Sequence, residues 1–72
     1  MSNLHVVKNG QNWSLKQEHV SSPVYTAKTQ AEIINSGTSL AKAYQVELFI
    51  HGRDGKIRER NSFGHDPFPP RG

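Results

Sequence analysis

Leu4 and Val6 alternate with His5 and Val7, and Trp13 and Leu15 alternate with Ser14 and Lys16. A period of two gives a strand one buried and one wet face. Asn9-Gly10 lies between the two runs and supplies the positive φ angles of a tight type I′ turn, so the segment reads as a hairpin. The stretch His19-Val-Ser-Ser-Pro23 then breaks the pattern, because consecutive serines favour a loop and a proline cannot donate to a ladder. Val24 to Ala27 reads as a short third strand.

From Thr29 the period changes. Thr29 followed by Glu32 forms a capping box, in which the threonine oxygen accepts from the N3 amide and the glutamate reaches back to the cap residue's own amide. A helix over about 30–43 follows. Ile33, Ile34, Gly37, Leu40, Ala41 and Tyr44 recur at steps of three and four and make one apolar stripe that must lie against something. Gly37 costs about 1 kcal/mol relative to alanine inside a helix, so its place in the stripe predicts a close approach of the helix backbone to a sheet.

Val46, Leu48 and Ile50 next alternate with Glu47, Phe49 and His51, a further strand. Gly52-Arg-Asp-Gly55 turns the chain, since Asp-Gly is a dipeptide that tight turns demand, and Lys56 to Asn61 returns. Strict alternation there sets Ile57, Glu59 and Asn61 on one face and Lys56, Arg58 and Arg60 on the other. With Ile57 under the helix, the three cations form a row on the far side of the sheet, spaced about 7 Å apart by strand rise. Residues 62–72 form a proline-containing tail with Phe63 and Phe68. The expected fold is α+β: a four- or five-stranded antiparallel sheet with one helix packed on one face, in the order β-β-(β)-α-β-β.

Composition narrows this picture. The 72 residues suit one domain, in which about 60% of the unfolded chain's surface is removed from water, so a dimer or a bound partner is expected to supplement a small core. There is no cysteine, hence no disulfide framework and no thiolate metal site. No run of about 18 apolar residues suggests a membrane span, and no signal peptide is evident, which makes cytoplasm the expected location. The net charge of +3 is a mild bias. Its distribution is uneven, because every arginine lies at or beyond Arg53 while Lys8, Lys16, Lys28 and Lys42 precede it.

The arrangement "LHVVKNGQNWSLK", then "TQAEIINSGTSLA", then "ELFIHGRDGKIRERNSFGHDPFPP" resembles a family of short bacterial proteins known as domain of unknown function 2188. The C-terminal "IHGRDGKIRERNSFGHDPFPP" is its specific part. The resemblance implies a small α+β protein with a helix on a sheet, and it implies no activity.

Three chemistries compete for the remaining residues. Arg53, Lys56, Arg58 and Arg60 are candidates for holding phosphates, as in a nucleic-acid surface, or for a charged edge that keeps sheets from pairing. His5, His19, His51 and His65 show no metal-ligand spacing, so neither metal nor cofactor is expected. His5 and His51 on neighbouring strands are a conceivable acid-base pair, but a chain of this size has little material to enclose a site, and no enzyme is expected. Phe49, His51, Phe63 and Phe68 are candidate partner contacts. The expectation is a non-enzymatic binding or assembly module working through the exposed sheet face and the C-terminal tail as a homodimer, with no membrane and no small-molecule substrate. The alternative is a nucleic-acid-binding protein using the basic row.

Overall fold

A computed structural model describes residues 2–63. The elements are β1 (Leu4–Asn9), β2 (Asn12–Gln17), β3 (Tyr25–Ala27), α1 (Gln30–Tyr44), β4 (Glu47–His51) and β5 (Ile57–Ser62). The class is α+β, with the expected order along the chain. The five strands form one sheet in the order β3-β2-β1-β4-β5.

The sheet is mixed, which corrects the expectation of an antiparallel one. β1 pairs antiparallel with β2, and β2 with β3, but β1 pairs parallel with β4. β3 and β4 therefore run in the same direction with β2 and β1 between them. A parallel relation requires a crossover, and α1 supplies it by packing on β1, β2, β3 and β4.

Alternation in β1, β2 and β4 decides what the helix covers. Leu4, Val6, Trp13, Leu15, Leu48 and Ile50 are buried against Ile33 and Ala41 of α1. Each fully buried valine, leucine or isoleucine among them contributes about 1.5–3 kcal/mol. The stripe on α1 is narrower than its spacing suggests: Ile34 and Leu40 pack at its margins and Tyr44 is exposed. Gly37 is buried at its centre. A Cβ there would lie 3.0 Å from a methyl of Leu15 and 3.0 Å from one of Leu48, so the absent side chain is what lets the helix settle on the sheet.

Both ends of α1 are fixed locally. Thr29 Oγ1 accepts from the Glu32 amide at 3.2 Å, as expected. The second half of the box differs, because the Thr29 hydroxyl donates to Glu32 Oε1 at 3.3 Å. Gln45 closes the helix in the left-handed region at φ 57°, and the Val46 amide donates to Ala41 O at 3.0 Å.

Two turns depart from expectation. Asn9 pairs with Asn12, so Gly10 and Gln11 are the central residues of the first hairpin. Gly10 alone of the two has positive φ, at 65°, the pattern of a type II′ turn and not type I′. The second departure has more consequence. Leu48 pairs with Asn61, Phe49 with Arg60 and Ile50 with Glu59, but His51 pairs with Ile57, with a register shift between Ile50 and His51. The shift leaves Arg58 without an opposite residue and turns Ile57 to the face away from α1, where it is 53% exposed. The expectation that Ile57 lies under the helix is thus overturned. α1 does not pack on β5, so no apolar surface draws Ile57 inward.

Gly37→Val is expected to lower unfolding stability by about 1–3 kcal/mol, the usual range for overpacking a filled core. Urea denaturation followed by Trp13 fluorescence measures it, and an unchanged midpoint would contradict the close approach.

Candidate functional site

The face of the sheet opposite α1 is built by the residues that alternate with the core. Directly opposed residues share a face of a sheet. His5 lies opposite Lys16 and beside Phe49, Val7 opposite Ser14, Phe49 opposite Arg60, and His51 opposite Ile57. This open face carries aromatic rings at its centre, and Lys16, Arg60 and Glu47 around them.

The rings form a connected group. His5 stacks on Phe49 with centroids 4.8 Å apart and planes at 19°. His5 Nδ1 lies 2.9 Å from His51 Nε2, and His5 Nε2 lies 3.1 Å from Glu18 Oε2. His51 Nδ1 donates to the carbonyl oxygen of Gly55 at 2.9 Å. Every ring nitrogen of the two histidines is thus engaged. Neither offers a free nitrogen to a substrate in this arrangement, which weighs against using them as an acid-base pair.

Glu18 reaches His5 because the backbone holds it there. Its amide donates to Asn3 O at 2.9 Å, and the Val20 amide donates to Gln17 O at 3.2 Å, closing a turn in which His19 takes φ 66°. Asn3 also accepts the Glu47 amide on Oδ1 at 3.0 Å, so one residue ties the end of β2 and the start of β4 to β1. The loop after β2 borders an open cleft of about 650 Å³, whose lining includes His5, Val7, Lys16, Glu18, Val20 and His51.

The candidates from the sequence divide. Phe49 and His51 lie on the open face, as does Arg60. Arg58 folds back over Gly52, where its guanidinium donates to Asp54 Oδ2 at 3.0 Å. With Arg53, Trp13, Ile34 and Ile50 it lines a separate cleft at the helix side. Asp54 Oδ1 accepts the Lys56 amide at 3.1 Å, and the Gly52 amide donates to Lys56 O at 2.7 Å, so Arg53 and Lys56 belong to the turn. The register shift therefore disperses the four cations, and they do not form one row. Phe63 is half-buried against the core, with Lys42 Nζ 5.8 Å from its ring centroid. Phe68 and His65 lie outside the described residues, as does the rest of the tail from Gly64. Among the described residues no group of three His, Asp or Glu side chains is placed to hold a metal ion, and no helix is long and apolar enough to cross a membrane.

The model of one protein family, described as an uncharacterized protein conserved in bacteria (DUF2188), matches residues 4–63. The chain belongs to this family. The matched span runs from the first residue of β1 to Phe63 just beyond β5, so the DUF2188 unit contains the whole sheet, α1, and every member of the ring group. No curated protein and no solved structure matches the chain.

Glu18 and Lys16 were not singled out from the sequence. Their signal was present, since Ser14, Lys16 and Glu18 continue the period of two that places Trp13 and Leu15 inward. The parallel neighbour that brings Phe49 beside His5 had no such local signal.

The His5–Phe49 stack is expected to couple by about 0.5–1.5 kcal/mol, the range for aromatic pairs. A double-mutant cycle with His5→Ala and Phe49→Ala in urea checks this, and strictly additive losses would show that the rings are neighbours without interaction.

Proposed function

We propose that this DUF2188 protein is a non-enzymatic assembly module that associates with a second copy of itself through the open face of the sheet. The supporting observation is the make-up of that face. It presents the rings of His5 and Phe49, half-buried Val7 and exposed Ile57 beside charges of both signs, with Lys16 and Arg60 against Glu47. A two-fold interface places one patch against its own copy, and a mixed-sign patch can then oppose cation to carboxylate. A polyanion favours cations clustered on one surface, and here Arg58 is held by Asp54 while Arg53 and Arg58 line the opposite side.

The small core favours the same reading. One helix covers four strands, and β5 lies beyond its footprint, so part of the sheet gains no burial from α1. The engaged ring nitrogens of His5 and His51 support a role in shaping the face and not in turnover.

Light scattering at tens of micromolar protein is expected to give twice the chain mass, and Phe49→Arg, with His5 facing it, is expected to give the monomer with an unchanged circular dichroism spectrum. A monomeric parent protein at that concentration overturns the proposal. Salt-dependent binding of labelled single-stranded RNA or DNA by a monomer would move the function to the nucleic-acid reading.

A further inference from the structure

We propose that Glu18, His5 and His51 form a one-proton clamp, in which a single proton beyond those of two neutral imidazoles holds the end of β2 and the β4–β5 turn to the open face. The inference stands whatever that face binds.

The argument is a count of hydrogens. The Gly55 carbonyl can only accept, so His51 Nδ1 carries a proton. The Glu18 carboxylate accepts, so His5 Nε2 carries one. The contact between His5 Nδ1 and His51 Nε2 at 2.9 Å needs one hydrogen between the two nitrogens, since two would clash and none would set lone pair against lone pair. That makes three protons on four ring nitrogens. Two neutral imidazoles hold two, so the pair bears one positive charge opposite the negative charge of Glu18. The count is the same if the proton rests on the carboxyl and is donated to His5 Nε2.

Removing that proton leaves two lone pairs facing each other in one of the three contacts, and that contact must open. Each contact joins different parts of the chain. Glu18 to His5 holds the turn after β2, His5 to His51 joins β1 to β4, and His51 to Gly55 holds the β4–β5 turn. Glu18, His5 and His51 all line the cleft beside His5, so its shape follows the proton.

The charged groups around the clamp are Lys16 of β2 opposite His5, Glu47 of β4, Arg60 of β5 across Phe49, His19 next to Glu18, and Asp54 and Lys56 in the β4–β5 turn. On β1 itself the neighbouring residue of that face is Val7. α1 lies on the other side of the sheet and contributes no charge to it, although Gln30 Nε2 donates to the backbone oxygen of His51 at 3.2 Å.

Glu18→Gln separates the clamp from an ordinary ion pair. A glutamine amide can donate to His5 Nε2, after which His5 Nδ1–H donates to His51 Nε2 and the chain is complete with both rings neutral. Ring nitrogen-15 NMR of the full chain across a pH titration reads the states directly. In the parent protein, below the transition, the two rings together are expected to carry three protons on four nitrogens: one on His5 Nε2, one on His51 Nδ1 and one between His5 Nδ1 and His51 Nε2. Raising the pH should change both rings in one shared transition that releases one proton, and the backbone amides of Glu18 and Gly55 should shift with it. In Glu18→Gln, His5 is expected to stay in its Nδ1–H form across that transition with both amides unmoved. Independent transitions of His5 and His51 without amide shifts, or a Glu18→Gln titration identical to that of the parent, would falsify the clamp.

Discussion

The parallel pairing of β1 with β4 is the constraint from which both faces of the sheet follow. Leu4 beside Leu48 and Val6 beside Ile50 bring two strands' worth of core under α1. The same register sets His5 beside Phe49 and within reach of His51. Because side chains alternate with a period of two, a slip of one residue would send the apolar set outward and the rings inward. The buried leucines, valine and isoleucine therefore hold the position of a ring group on the opposite face of the sheet. The helix enforces this arrangement from the other direction, since it must cross β2 and β1 to connect β3 with β4, and Gly37 lets it do so at close range.

Most of this architecture was legible in local pattern. The alternation of Leu4 and Val6, of Trp13 and Leu15, and of Val46, Leu48 and Ile50 identified three strands and their inner faces. Thr29 and Glu32 marked the helix start, and Gly37 marked its contact with the sheet. Strand direction was not legible in the same way, because a parallel neighbour is set by where the crossover delivers the chain and not by the residues of either strand. The β5 residues failed for a different reason. Alternation carries face information only while pairing is regular, and the shift between Ile50 and His51 inverts it from Arg58 towards the turn. Ile57 was assigned inward on its apolar character alone, yet α1 does not reach the strand on which it lies.

That inversion changes how the basic segment is understood. Arg58, folded over Gly52 onto Asp54, stabilises the turn that presents the Gly55 carbonyl to His51. Asp54 holds the same turn through the Lys56 amide. The exposed Arg58–Asp54 pair is worth little by itself in water, so its significance is geometric. The segment read first as a cationic surface is in large part the scaffold of the histidine group, and only Arg60 of its arginines shares the face with Phe49.

The register of β1 against β4 is tested most directly by nuclear Overhauser contacts in solution. The account predicts contacts from the His5 ring to the rings of both Phe49 and His51, together with the absence of the close Hα–Hα contacts that mark antiparallel neighbours between β1 and β4. Close Hα–Hα contacts between those strands, or a His5 ring without contact to Phe49, would contradict it.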